Sequence, residues 1–366
     1  MLFRTEGRVE AVLSDDPDLQ VLAVRPISAD ENTPPRKAIN YKALNGTAQV
    51  GERVLLNTVA VELDLGTGGY DFVVGIVGRE LEDEPPGHLI KLRYTPIQTP
   101  VLAVEAPESP FHSLLESFSP LQGTPVVCCG LHSQIGPVCF AVHAVFKERG
   151  YGGRVVYIMT DSAALPIAWS HLVRELKQSG LLQTTITCGQ AFGGDYEAIN
   201  LYSALQAARQ VASADVILVC QGPGNAGTQT ALGFSGVDQG LALNAATALE
   251  GRPICVPRIS FADKRPRHHG VSQQTLMVLE RLVVGSVWLP LSVMPSPMRD
   301  IVLTTLQQRG ILEKHMVEEV ETEALFNAMA TYRWTTMGRK PQEDPYFFRT
   351  ALAAGVVAAQ SVCNTR

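Results

Sequence analysis

From Pro125 onward, short apolar runs rich in β-branched residues alternate with longer segments of helical periodicity. This alternation limits the fold more than any other feature. Five runs read as strands, at residues 126–129, 154–159, 184–188, 216–220 and 254–256, with 286–289 as a sixth. A continuous apolar run bounded by turn residues is what a strand covered on both faces requires. Strands separated by helices join through right-handed crossovers, giving a mostly parallel sheet. The expectation is an α/β chain whose second domain, residues 125–366, is a Rossmann-like, mostly parallel sheet with a helical C-terminal extension.

The intervening helices carry start signals. Asp161 or Ser162 can cap a helix with Leu165, Ala168, Trp169, Leu172, Val173 and Leu176 on one face, and Gly180 can end it. Asp195 can cap the next, with Leu201, Leu205, Ala208 and Ala212 at helical spacing, and Ser272 a third. Ser296-Pro297 and Asp344-Pro345 each read as an N-cap followed by proline at N1, so the stretch from Glu313 onward reads as helical. Its last helix carries Ala351, Ala353, Ala354, Gly355, Ala358 and Ala359, which permit close backbone contact and suggest a homodimer.

Residues 1–104 read differently. Strand-like runs at 8–13, 19–24, 37–43, 53–56, 70–77 and 89–93 are separated by turn clusters such as Asp15-Asp16-Pro17-Asp18 and Pro85-Pro86-Gly87. Asn45-Gly46 is a two-residue hairpin signal. No helix follows Gly66-Thr67-Gly68-Gly69, so a turn between strands is expected there rather than a phosphate loop. This spacing suggests a small barrel or sandwich. A proline-punctuated linker, residues 105–124, joins it to the α/β domain.

Composition narrows the setting. A net charge of −6 argues against a surface that coats nucleic acid. No signal-peptide pattern opens the chain, and no apolar segment is read as approaching the ~20 residues of a membrane span. Seven cysteines are scattered without a C-x-x-C pair, and Cys128, Cys220 and Cys255 fall in expected strands. Reduced thiols in a cytoplasmic protein are the natural reading.

In an open α/β sheet, ligands bind outside the carboxyl ends of the strands. The residues collected there are Cys129 and His132, then Asp161 and Ser162, then Gly193, Gly194, Asp195 and Glu197. After the fourth strand comes a glycine loop in which Gly222, Gly224 and Gly227 fit G-x-G-x-x-G, with Asn225 inside it and Thr228 opening a possible helix. Such a loop can seat an anion on its backbone N–H groups. As a dinucleotide fingerprint it is weak: it follows the fourth strand, and no acid ends the next one. A phosphate or carboxylate cradle and a plain structural turn are the competing readings. After the fifth strand come Arg258, Asp263 and the basic run Lys264-Arg265-Pro266-Arg267-His268-His269, an anion clamp or a solvated loop. Asp161, Asp195, Glu197 and Asp263 can gather a hard cation, or His132, His268 and His269 a softer one; the competing reading makes the aspartates helix caps. Cys129 with His132 fits a nucleophile and base, or a buried thiol.

Several of these stretches are long and specific. Thr160-Asp161 with Ala164-Leu165-Pro166, Ala191-Phe192-Gly193-Gly194-Asp195, Gly222-Pro223-Gly224 with Gly227-Thr228, and Arg258 through Asp263 resemble a bacterial family of unknown function, domain-of-unknown-function family 3866. The resemblance covers nearly the whole chain and implies no activity. The chain departs from the family pattern at residues 270–275, where two histidines often stand in place of Gln273 and Gln274. A metal site on that pair is therefore not expected.

The functional expectation is an enzyme, a hydrolase or transferase acting on a small phosphate-bearing or otherwise anionic metabolite. Asp161, Asp195, Asp263 and His132 are the catalytic candidates. Gly193, Gly194, Gly222, Gly224, Asn225, Gly227, Thr228, Arg258, Arg267 and His268 are the binding candidates. An NAD(P)-binding oxidoreductase and a non-catalytic sensor or scaffold are the alternatives.

Overall fold

A computed structural model describes residues 3–30, 32–66, 68–80 and 84–364. The chain divides into two compact units, Met1–Leu102 and Ala103–Arg366.

In the first unit, β1 (Arg4–Asp15), β2 (Leu19–Pro26), β3 (Arg36–Tyr41), β4 (Arg53–Asn57) and β5 (Asp71–Ile76) close a barrel in the order β1-β2-β3-β5-β4. Inward-facing Val9, Leu22, Val24, Ala38, Val54, Leu56 and Val73 fill it. Register shifts after Val9 and Val12 bend β1 so that one strand serves two neighbours, β2 and β4. The expected Asn45-Gly46 hairpin is not formed. Residues Lys42–Asn45 make a helical turn that Gly46 ends at φ 67°, and β3 pairs with β2 and β5 rather than β4. Asn45 is held inside, donating through Nδ2 to Asn40 Oδ1 at 3.1 Å and to the Val73 carbonyl at 3.2 Å. A buried amide bonded in this way cannot serve as a solvent-exposed turn residue. Of the turn expected at 66–69, Thr67 lies outside the described residues.

In the second unit eight strands form one sheet: β6 (Pro125–Cys129), β7 (Val155–Thr160), β8 (Thr184–Cys188), β9 (Tyr196–Ala198), β10 (Val216–Gln221), β11 (Arg252–Val256), β12 (Trp288–Ser292) and β13 (Met316–Val320). Their order is β9-β8-β7-β10-β6-β11-β12-β13, and every pair is parallel. Helices α1 (Ile135–Glu148), α2 (His171–Gln178) and α7 (Pro345–Cys363) cover one face, onto which Tyr157, Met159, Leu218 and Cys220 point. Helices α3 (Leu201–Gln210), α4 (Asp238–Ala248), α5 (Gln273–Met277) and α6 (Ser296–Gln308) cover the other, onto which Val156, Ile158, Ile217 and Val219 point. Neighbouring β6 and β10 lead into α1 and α4, on opposite faces. In open α/β sheets such a divergence at the carboxyl edge is where a ligand crevice forms.

Several local expectations are corrected. Ser170, not Asp161 or Ser162, caps α2, accepting from Val173 N at 3.0 Å. The other two side chains reach across space instead, to Gln190 N and Asp238. Asn200, not Asp195, caps α3. Ser272 does cap α5. Pro295 holds the cap position of α6, which begins at Ser296. Asp344 precedes Pro345 as expected but makes no capping bond, because Ser260 and Arg339 engage its carboxylate. Residues 316–320, read as helix, are the edge strand β13.

Six of the seven cysteines are buried, the exception being Cys363. Helix α7 also corrects the reading of apolar segments. It spans 19 residues and is long and apolar enough to cross a membrane, yet 78% of its apolar window is buried inside the unit. Its small residues make their close contact within the chain. A Cβ on Gly355 would stand 2.5 Å from the Val138 carbonyl of α1 and 2.8 Å from the Ala141 Cβ. Gly355→Ala is therefore expected to lower stability by about 1–3 kcal/mol, read by urea denaturation, because backbone has to move to admit the methyl. An unchanged midpoint would show that the two helices are not packed this closely.

Candidate functional site

At the carboxyl edge, the glycine loop does not open a helix. Ser235 N donates to the Ala226 carbonyl at 2.9 Å and Thr228 N to the Gly233 carbonyl at 2.7 Å, with Gly227 bridged to Phe234. Residues 226–235 are thus a hairpin, and α4 begins only at Asp238. The expectation that Thr228 starts a helix is corrected by these bonds. Its hydroxyl instead lies against Thr230 Oγ1 and donates to the Gly233 carbonyl. The helix opening that a dinucleotide fingerprint needs is absent from this loop. The glycines have local reasons. A Cβ on Gly222 would meet the Ala164 carbonyl at 2.5 Å, and Gly224 holds φ 102° with open space around it. Asn225 anchors the loop, donating from Nδ2 to the Gly130 carbonyl at 3.2 Å and accepting at Oδ1 from Gln221 Nε2 at 2.6 Å.

The basic run is organised around one carboxylate. Buried Asp263 receives Arg258 Nη2 at 2.8 Å, Arg265 Nη2 at 2.7 Å and Arg265 Nε at 2.9 Å, with Arg339 Nη2 at 3.5 Å. The hydrogen bonds from Arg265 lead in holding this carboxyl well below its ordinary range, aided by the Arg258 charge. Buried Asp344 accepts from Ser260 Oγ at 2.8 Å and from Arg339 Nε at 3.0 Å. Burial lowers the Arg258 guanidinium to about 10 against the pull of Asp263. His268 is pushed down to about 4 by burial and then by Arg258 and Arg265. It accepts at Nε2 from Arg267 Nε at 3.2 Å and lies 2.8 Å through Nδ1 from Ser272 Oγ. Lys264 and Arg267 are exposed beside it. A cavity of about 20 Å³ reaches this cluster, lined among others by Gly130, Phe234, Gln239, Arg258, Gln274 and Thr275. That volume admits a single water.

The other expected residues separate. His132 is buried and its ring is fully engaged. Nδ1 faces the Gln221 carbonyl at 3.2 Å, and Nε2 lies 2.7 Å from Ser170 Oγ. A carbonyl can only accept, so Nδ1 carries the proton and Nε2 accepts from the serine. Burial pushes this histidine down to about 4. Cys129 is a buried thiol whose pKa burial raises far above the ordinary value, the opposite of an activated nucleophile. Asp195 faces away from the crevice: it stands beside Thr185 in the first half of β8 and pairs with Lys177 at 2.5 Å. Burial raises its pKa, but Lys177 and Thr185 prevail and lower it. Gly193 and Gly194 shape the turn into β9, their amides donating to Glu197 Oε1 at 2.6 Å and Thr187 Oγ1 at 3.0 Å. Asp161 is exposed at the end of β7 and accepts from Gln190 N at 2.8 Å. Gly189 holds φ 65°, a left-handed conformation that favours glycine, and a Cβ there would lie 2.2 Å from Asp161 Oδ2.

Three participants carried no sequence signal of a place at this edge, Asp344 having been read only as a helix cap. Arg339 and Asp344 join the basic cluster from far along the chain. Asp238, buried at the first turn of α4, accepts from Thr160 Oγ1 and from Ser162 Oγ at 2.9 Å. Burial leads in raising its pKa, with the Asp161 charge adding to the effect. Among the described residues, no group of three or more His, Cys, Asp or Glu is placed to hold a metal ion.

No curated protein and no solved structure matches the chain. The family model described as "Protein of unknown function (DUF3866)" matches residues 37–355, and those residues include every element of the crevice. The chain belongs to the DUF3866 family.

Proposed function

We propose that the carboxyl edge binds a small phosphate-bearing or otherwise anionic metabolite, and that the protein is a hydrolase or transferase acting on it. One observation carries the reading. Arg258, Arg265 and Arg339 pair with Asp263 and Asp344, and exposed Lys264 and Arg267 belong to the same loop, in a chain whose net charge is −6. Five cations against two anions leave an excess of three positive charges at one edge of an acidic protein. Guanidinium forks fixed by Asp263 keep further N–H donors for a bidentate anion. Of the three aspartates expected as base or metal ligand, Asp161 fits best, being exposed at the crevice and outside the arginine cluster. Six buried cysteines, scattered through the core, favour a reducing, cytoplasmic setting.

The test is titration calorimetry with inorganic phosphate and pyrophosphate in EDTA. Arg265→Ala and Arg267→Ala are each expected to weaken binding about tenfold, the loss of one charge-assisted contact. For Arg267, an exposed side chain, melting should stay nearly unchanged. Parent protein that binds neither anion, or variants that bind both like the parent, would remove the basis for this reading. Gly224→Ala is the companion control. At φ 102° the added Cβ strains the loop and is expected to cost about 1 kcal/mol. Because open space surrounds that position, anion affinity should hold. A large affinity loss without a stability loss would return the anchor to the glycine loop.

A further inference from the structure

Gln221 ends β10 and is 1% exposed, yet its Oε1 is buried with no hydrogen-bond partner. The orphan cannot be removed by turning the amide over. The Gly130 carbonyl only accepts, so Asn225 must present Nδ2 to it and Oδ1 to Gln221. Gln221 must then present Nε2 to Asn225, and Oε1 is left facing elsewhere.

Register says where. Gln221 and Thr160 are partners across the β10–β7 ladder. Paired residues of parallel strands project to the same face, here the face that α4 covers. Thr160 Oγ1 bonds Asp238 at the start of that helix, and Ser162 Oγ reaches the other carboxylate oxygen. Asp161, between them in sequence, is close enough for its charge to act on Asp238. The same end of β7 and β10 thus gathers two carboxylates, an amide oxygen with no donor, and two hydroxyls. All five groups offer oxygen, with neither histidine nor thiolate among them. A buried acceptor without a donor is costly and is rare in native structures.

We propose that Asp161, Asp238 and Gln221 Oε1 form a site for a hydrated divalent cation of the Mg²⁺ class, with Thr160 and Ser162 as supporting oxygens. One or two carboxylates, with water completing the shell, is the usual protein donor set for Mg²⁺. Gln239, adjacent to Asp238, lines the cavity that Arg258 also lines. The cation would stand on the same carboxyl edge of the sheet as the proposed anion site. Its role rests on that reading; its existence does not.

The test uses Mn²⁺ alone, with no anion added, followed by electron paramagnetic resonance on the full chain. One Mn²⁺ per chain is expected, displaced by excess Mg²⁺. Asp238→Asn and Asp161→Asn are each expected to weaken it at least tenfold. Should Asp238→Asn fail to fold, Asp161→Asn and Gln221→Met decide, the first altering an exposed side chain. No stoichiometric Mn²⁺ at millimolar concentration, or affinity unchanged in Asp161→Asn, overturns the site. Mn²⁺ binding without phosphate binding would sink the anion reading and leave the cation site standing.

Discussion

Asp263→Ala is expected to lower the stability of the second unit by about 3–5 kcal/mol, the cost of breaking a buried ion pair from one side. Arg258 is as buried as its partner, with 8% and 2% of the two side chains exposed. Removing the carboxylate leaves that guanidinium without its counter-ion and leaves Arg265 and Arg339 facing it. Asp263→Ala with Arg258→Met should recover much of the loss, because an apolar pair in place of a buried ion pair is often neutral. Urea denaturation at pH 7 reads both. A single-variant cost under about 1 kcal/mol would mean that Asp263 does not hold the basic loop together. The pH dependence has a fixed sign. A carboxyl held below its ordinary value contributes stability above that value, about 3.8, and loses it as the pH falls toward the folded-state value. Asp344, whose pKa burial raises, works in the opposite direction.

The central strands were legible because burial on both faces fills them with apolar and β-branched residues between turns. Each of β6, β7, β8 and β10 is buried along its whole length. The strands at the two edges were not. β9 is three residues long and contains Glu197, while β13 reads Met-Val-Glu-Glu-Val with only Val320 buried. An edge strand has one neighbour and partial cover, so its apolar signal is diluted below recognition. The start of helix α4 was misplaced for a different reason: it follows a hairpin that the glycine pattern concealed.

Caps failed where polar side chains act at a distance. Asp161 looks like a cap because its local sequence offers a cap position. Its partner, Gln190 N, lies 29 residues on, in a loop brought close only by the β7–β8 pairing. The basic site was half legible. Arg258, Asp263 and the run after it are local in sequence, and their place after β11 pointed to the crevice. Arg339 and Asp344 enter from the segment before α7, and no spacing rule reaches across that separation. Asp238 and Gln221 were hidden more deeply. What marks them is an unpaired oxygen and two hydroxyls aimed at one carboxylate, and these exist only once β7, β10 and α4 are assembled.

His132 supplies the second large effect, as a loss of stability in mild acid. In the folded chain it is neutral, wedged between the Gln221 carbonyl and Ser170, and burial sets its pKa near 4 against an ordinary 6.5. Between those values the unfolded chain binds a proton that the folded chain refuses. Stability therefore rises with pH across this window: it is fully present above about 6.5 and falls as the pH drops toward 4. The lowered value corresponds to about 3 kcal/mol of linkage. His268, also near 4, adds a second proton to the same window from the other side of the crevice. Urea midpoints from pH 7 to pH 4.5 should thus fall, and His143 and His315, which burial also holds below the ordinary histidine value, steepen the slope further. His132→Gln keeps a polar side chain but cannot titrate, so its slope should be shallower by about one proton although it is less stable at pH 7. A variant that keeps the parent's slope would place His132 in contact with water. The bond from Ser170 could then not be what fixes its ring, and a role in proton transfer at the crevice would be open to it again.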